Sequence, residues 1–232
     1  MTFQSIPITL IIMYLLLIPC VVLYMRFKFG KRGVFATIFK GLATWVILAG
    51  ALFSVQGTVV SMFSALIIAG LAMGLAGDIA LSLPKPGFTS GMLFFGLGHV
   101  CYITAMVLIS ERVIYVIPAF IVLFSLYLLI YRKLGIAPPK ILRIPIIAYS
   151  AIVACMLSFA ATMPFSEFPK GLVLLFSGVL FATSDIMLAY NRFPAAKTRK
   201  MDKKANNRLG IVSLICYFLA QSLFAVSVYL YK

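Results

Sequence analysis

The sequence predicts an all-α integral membrane protein, with eight transmembrane helices in a single domain spanning residues 1–232. Three observations carry this. First, 63% of the residues are hydrophobic and 11% are charged, against roughly 25% charged in an ordinary soluble domain. Second, the apolar residues gather into eight runs, each long enough to cross a ~30 Å hydrocarbon layer as a helix. Third, the basic residues collect in every other gap between the runs. This composition excludes a soluble enzyme and a disordered tail. A net charge of +15 would suggest a polyanion partner in a soluble protein. Here the charge is read as topology, with anionic lipid head groups as partners and no nucleic acid. The runs must be helical, because each backbone N–H and C=O in lipid needs a partner within its own segment. The alternation of a barrel strand is absent.

The runs follow in order. The first, 6–26, holds Pro19 and Cys20 and lacks the basic start of a secretory signal, so it reads as a retained helix. The second, 34–55, carries Lys40 and stops at Gln56-Gly57. The third, 58–83, carries Gly70, Gly74, Gly77 and Asp78 and stops at Pro84-Lys85-Pro86-Gly87. The fourth, 88–109, holds His99 and Tyr102, and the fifth, 113–131, ends before Pro138-Pro139. The sixth, 142–163, is expected to break at Pro164. The seventh, 170–190, holds Asp185, and the eighth, 209–230, holds Tyr217 and Gln221. The gap 191–208 is too short and too charged for a soluble domain. Cys20, Cys101, Cys155 and Cys216 all fall inside apolar runs and read as small buried hydrophobes.

Orientation follows from the bases. Odd-to-even gaps hold Arg26, Lys28, Lys31, Arg32, Lys85, Arg132, Lys133, Lys140, Arg143, Arg192 and the cluster Lys197, Arg199, Lys200, Lys203, Lys204 and Arg208. The other side holds Arg112, Lys170 and Lys232. The positive-inside rule then puts both termini on the non-cytoplasmic side, in the inner membrane if the source is bacterial. A faint repeat pairs Gly77-Asp78-Ile79-Ala80-Leu81 with Ser184-Asp185-Ile186-Met187-Leu188. Cys101-Tyr102-Ile103 pairs in the same order with Cys216-Tyr217-Phe218, which suits two parallel four-helix halves. Chance matching in an apolar alphabet is the plain alternative.

A carboxylate inside hydrocarbon is costly and usually faces a protein interior or a wet cavity. Of the five acids, Glu111, Glu167 and Asp202 fall in gaps, whereas Asp78 and Asp185 fall inside runs. Helix rise puts Asp78 at ~8 Å, Asp185 at ~9 Å, Lys40 at ~10 Å, Tyr217 at roughly 13 Å and His99 at roughly 16 Å from the cytoplasmic ends. Five polar groups from five helices thus share one slab. Each has a structural alternative. Asp78 and Asp185 could pair with Lys85 and Arg192 seven residues on, and Lys40 could snorkel. His99, with Tyr102 at i+3, could be a packed polar pair. Tyr217 and Gln221, at i and i+4, could be glue between helices, and Gly70, Gly74 and Gly77 could admit a close neighbour.

One histidine leaves no His-rich zinc site. No Gly-x-Ser-x-Gly elbow, Walker loop or dinucleotide fingerprint occurs. Two carboxyl groups, a lysine, a histidine and tyrosine hydroxyls remain, a set suited to acid/base hydrolysis without metal or cofactor.

These same residues resemble the YhhN family of membrane proteins, whose characterised members are lysoplasmalogenases. The resemblance lies in Phe39-Lys40-Gly41-Leu42, Gly77-Asp78-Ile79-Ala80-Leu81, the stretch from Phe95 to Tyr102 with Gly98-His99, the stretch from Phe181 to Ala189, and Tyr217 to Gln221. It covers most of the chain and implies an eight-helix intramembrane hydrolase. Such an enzyme would cleave the vinyl-ether bond of a lysophospholipid substrate to a fatty aldehyde and a glycerophospho-base. It also implies that Asp78 and Asp185 divide proton delivery and cation stabilisation. His99, Tyr102, Tyr217 and Gln221 would support them, and Lys40 would meet the phosphate. Two other classes compete. A small lipid or solute transporter also uses intramembrane charge. A scaffold or receptor would leave Asp78→Asn and Asp185→Asn silent.

Overall fold

A computed structural model of the chain describes residues 8–30, 33–83, 87–193 and 203–231. Among these residues it contains eight α-helices, one short 3-10 turn and no strand. The helices are α1 (Ile8–Phe29), α2 (Gly33–Ser54), α3 (Met62–Ser82), α4 (Gly87–Ile109), α5 (Val116–Lys133), α6 (Lys140–Ser166), α7 (Gly171–Arg192) and α8 (Lys203–Leu230), with the 3-10 turn Val113–Tyr115 before α5. All eight are long and apolar enough to cross a membrane.

Burial is inverted relative to a soluble protein. Leu15, Ile117, Val122 and Ile141 point outward, while Thr44, Ser150, Ser177 and Gln221 are enclosed. Apolar side chains can face lipid at no cost, whereas hydroxyls and amides there lose their partners.

The ends of the elements have local causes. The α2–α3 turn uses Gly57 at φ 73°, a left-handed conformation open to glycine. Ser61 then caps α3, its hydroxyl accepting the N–H of Ser64 at 3.1 Å, so the helix starts at Met62 and not at 58. α1 runs past its expected end, with Arg26 and Lys28 in its last turn, where cations complement the helix dipole.

Two expected boundaries need correction. Pro164 does not break the sixth helix, which continues to Ser166 before the Glu167 N–H closes on the Met163 carbonyl at 2.8 Å. A proline this close to a helix end forfeits one bond in a turn that is already ending. The eighth helix starts at Lys203 and not at 209, because Lys203–Arg208 is charged but rich in helix formers. The remainder of the expected basic loop, with Lys197, Arg199, Lys200 and Asp202, lies outside the described residues, as do Lys31, Arg32, the Pro84-Lys85-Pro86 break and Lys232. The four cysteines are unbridged, as expected, but partly exposed and not buried.

The chain forms two compact units, Met1–Cys101 with Phe224–Lys232, and Tyr102–Leu223. Their boundary falls inside α4 and α8, not at the connection between α4 and α5. Within the first unit, α2 packs against both α1 and α3. Ala43, Ile47, Ile67 and Leu71 are fully enclosed there. The glycines of α3 admit close neighbours as expected. A Cβ on Gly77 would stand 2.9 Å from the Phe95 ring, and one on Gly98 would stand 3.1 Å from the Gly70 carbonyl oxygen.

Within the second unit, α6 packs against both α5 and α7, around Val153, Met156, Ala160 and Leu174. α7 begins hard against the end of α6. A Cβ on Gly171 would clash with the Met163 carbonyl oxygen, a backbone atom that cannot swing away. Gly171→Ala is therefore expected to cost about 1–3 kcal/mol, the range for overpacking a tight contact. The cost is read as a lowered unfolding midpoint in detergent.

Candidate functional site

In the first unit, α2 and α3 bring two of the expected residues together. The Lys40 ammonium lies 2.7 Å from Asp78 Oδ1. Thr44, one turn beyond Lys40 on the same face, donates its hydroxyl to Asp78 Oδ2. Asp78 is 1% exposed and Lys40 9%. Both carboxylate oxygens thus have a partner from α2, which is what a charge needs when lipid and protein exclude water. The apolar surround comes from α1. Tyr24 is buried, and Phe27 stacks its ring on those of Phe35 and Phe39 at 5.3 and 5.4 Å. Lys28 places its ammonium 5.5 Å from the Tyr24 ring centre, a cation–π distance.

His99 is fully enclosed on α4. Tyr102 donates its hydroxyl to Gln221 Oε1 at 2.8 Å. Gln221 Nε2 in turn donates to the Tyr217 hydroxyl at 3.2 Å. Tyr217 and Gln221 therefore share a face of α8 as expected, and Tyr102 joins them in one buried chain in the second unit. The Tyr217 ring meets Phe181 edge-on at 5.6 Å, which fixes the orientation of its hydroxyl.

Asp185, on α7 of the second unit, is only partly buried. Its Oδ2 accepts the Tyr149 hydroxyl of α6 at 2.8 Å. Tyr127 and Tyr131 of α5 stack on each other at 5.0 Å. Both belong to the cluster of Val153 and Ala182 into which Tyr149 and Ile186 pack. Three tyrosines from two helices thus share one cluster with Ile186, the residue after this aspartate.

The two aspartates are held in parallel ways. In each unit the middle helix of three supplies the partner, Lys40 and Thr44 from α2 for Asp78, and Tyr149 from α6 for Asp185. The partners differ in kind, an ammonium with a hydroxyl in one case and a phenol in the other.

The sequence reading missed Thr44, Tyr149, Tyr127 and Tyr131. Thr44 had a signal, since it lies four residues from Lys40 and so on the same face. Tyr127 and Tyr131 have the same i, i+4 spacing in a run whose other polar side chains are Tyr115 and Ser125. Tyr149 had none, because tyrosine sits near a membrane interface without cost.

No curated protein and no solved structure matches the chain. The family model of the YhhN family matches residues 35–228, from α2 into the last turn of α8, which takes in Lys40, Thr44, Asp78, Tyr102, Tyr149, Asp185, Tyr217 and Gln221 but not the α1 residues Tyr24, Phe27 and Lys28; the chain belongs to the YhhN family.

Proposed function

We propose that this protein is an intramembrane hydrolase of the lysoplasmalogenase type, cleaving the vinyl-ether bond of a single-chain phospholipid. The observation that carries the reading is that both intramembrane aspartates are held by polar partners from a neighbouring helix, and those partners differ in charge, an ammonium in one case and a phenol in the other. Family membership supports it further. An aspartate retained inside a span is functional by default.

The contacts suggest a division of roles. Asp78, ion-paired with Lys40, is the standing negative charge, suited to stabilising a cation. Asp185, facing a neutral phenol, is the proton donor. In the first step the Asp185 O–H bond breaks and a C–H bond forms at the vinyl carbon distal to oxygen, leaving an oxocarbenium ion on the carbon bonded to oxygen. Water adds to that carbon and returns a proton to Asp185. The resulting hemiacetal collapses to a fatty aldehyde and the glycerol hydroxyl. One water is consumed and both carboxyl groups are regenerated. Acid/base help of this kind is worth roughly 10²–10⁴ in rate, and preorganised charge adds to it. Lys40 is assigned to Asp78 in place of a phosphate contact, because its ammonium has its counter-ion there. Tyr102, Gln221 and Tyr217 are assigned to support.

The same reading places both termini on the non-cytoplasmic side. Arg26 and Lys28, Arg132 and Lys133, and Arg192 all fall in the last turns of odd-numbered helices, which supports one basic face.

The test is substrate chemistry. Purified protein is incubated in detergent with three lysolipids that differ only in the chain linkage, and the products are read by mass spectrometry. Protonation at carbon requires the double bond, so the vinyl ether is expected to release aldehyde while the saturated ether and the ester persist. In deuterated water one deuterium is expected on the carbon beside the aldehyde. Equal cleavage of the ester would point to acyl transfer and sink the reading. Proton-coupled uptake into liposomes without cleavage would favour the transporter.

A further inference from the structure

We infer that Tyr149 is a positioning residue for Asp185, orienting its carboxyl group and stabilising the charge left behind when the proton is delivered. This rests on the reading of Asp185 as the proton donor. The Tyr149 hydroxyl donates to Oδ2 at 2.8 Å.

The phenol is well placed to hold one geometry. Tyr149 packs with Tyr127, Tyr131 and Ile186 against Val153 and Ala182, so its ring is set by three helices of the same unit. A tyrosine fixed in this way loses little freedom when it donates, which is the property a preorganised donor needs.

The contact also gains strength where it matters. Before proton transfer the phenol donates to a neutral acid. As the Asp185 O–H bond breaks and the new C–H bond forms, negative charge develops on the carboxyl group. A hydrogen bond to an ionised acceptor is roughly twice as strong as one between neutral groups. Tyr149 keeps its own proton throughout, and the proton returned by water goes back to Asp185. Stabilisation that grows along the step raises kcat and leaves ground-state binding alone.

The test compares Tyr149→Phe with Tyr115→Phe. The first removes the donated hydroxyl and keeps the ring. The second removes the hydroxyl of an exposed tyrosine in the 3-10 turn before α5, away from Asp185 in the chain. Tyr149→Phe is expected to lower kcat by about 10- to 100-fold with KM within roughly twofold. Tyr115→Phe is expected to keep the wild-type kcat. Combined with Asp185→Asn, Tyr149→Phe is expected to add no further loss.

A second readout needs no turnover. The infrared carboxyl band that disappears in Asp185→Asn is expected to shift in Tyr149→Phe. It is expected to shift the opposite way in Tyr149→fluorotyrosine, a better donor that keeps the packing and serves where the phenylalanine variant fails to fold. Wild-type aldehyde release with unchanged kcat and an unshifted band in these variants overturns the inference and leaves the hydrolase reading intact. A wild-type protein that cleaves no vinyl ether overturns the hydrolase reading, and the positioning role with it, whatever the band does.

Discussion

Lys40→Met is expected to destabilise the protein by about 3–5 kcal/mol, the range for removing one member of a buried ion pair. The cause is what is left behind. Asp78 is 1% exposed, and without the ammonium at 2.7 Å its charge keeps the Thr44 hydroxyl of α2 but loses its counter-ion. Asp78→Asn leaves the Lys40 ammonium in the converse position and is expected to cost a similar amount. Lys40→Met combined with Asp78→Asn is expected to recover most of the loss, because two neutral groups of similar volume need no counter-charge, and the amide can still accept from Thr44. For a chain of this size the single variants should lower the unfolding midpoint by roughly 6–20 °C, measured in detergent by thermal unfolding. Single and double variants with equal midpoints would show that the pair contributes nothing to the fold as a pair.

How much of this could be read from the sequence depends on what each residue costs in lipid. The spans were legible because length and hydropathy act segment by segment, without tertiary information. Helix ends were less so. Pro164 looks like a stop, yet a proline in a final turn loses one bond and the helix runs on to Ser166. Lys203–Arg208 looks like a loop by charge, yet its residues favour helix and extend α8.

The site shows the same division. Lys40 and Asp78 were conspicuous because charge inside a span is expensive. Their depth followed from helix rise, but depth gives no azimuth, and only the packing of α2 on α3 brings them to 2.7 Å. Lys85 remained an equal candidate partner until that packing was known. Tyr217 and Gln221 were legible as a pair because i, i+4 spacing is azimuthal information, and their bond follows. Tyr102, expected to share a surface with His99, also donates to Gln221 across helices, a partner no spacing rule reaches. Tyr149 was silent because its ring is at home beside lipid and only its hydroxyl bears on Asp185.

Asp185→Asn is expected to lower aldehyde release by roughly 10³-fold or more, within or above the range lost when a general acid is removed, while the protein keeps its fold. The two halves of this expectation have separate causes. The amide has the shape of the carboxyl group and can still accept the Tyr149 hydroxyl, so the α6–α7 contact survives. It has no proton to deliver to carbon, so the first step loses its donor. Asp185 is partly exposed where Asp78 is enclosed, so a change of charge there costs less stability than one at Asp78. That difference decides how the second carboxylate must be examined. Asp78→Asn alone confounds lost charge stabilisation with a stranded lysine. The double variant with Lys40→Met removes the confusion: a folded protein that still binds lysolipid but turns it over at least ~10²-fold more slowly would assign Asp78 to stabilising the cation. Asp185→Asn with wild-type turnover, measured on protein whose unfolding midpoint is unchanged, would put the proton donor elsewhere in the chain.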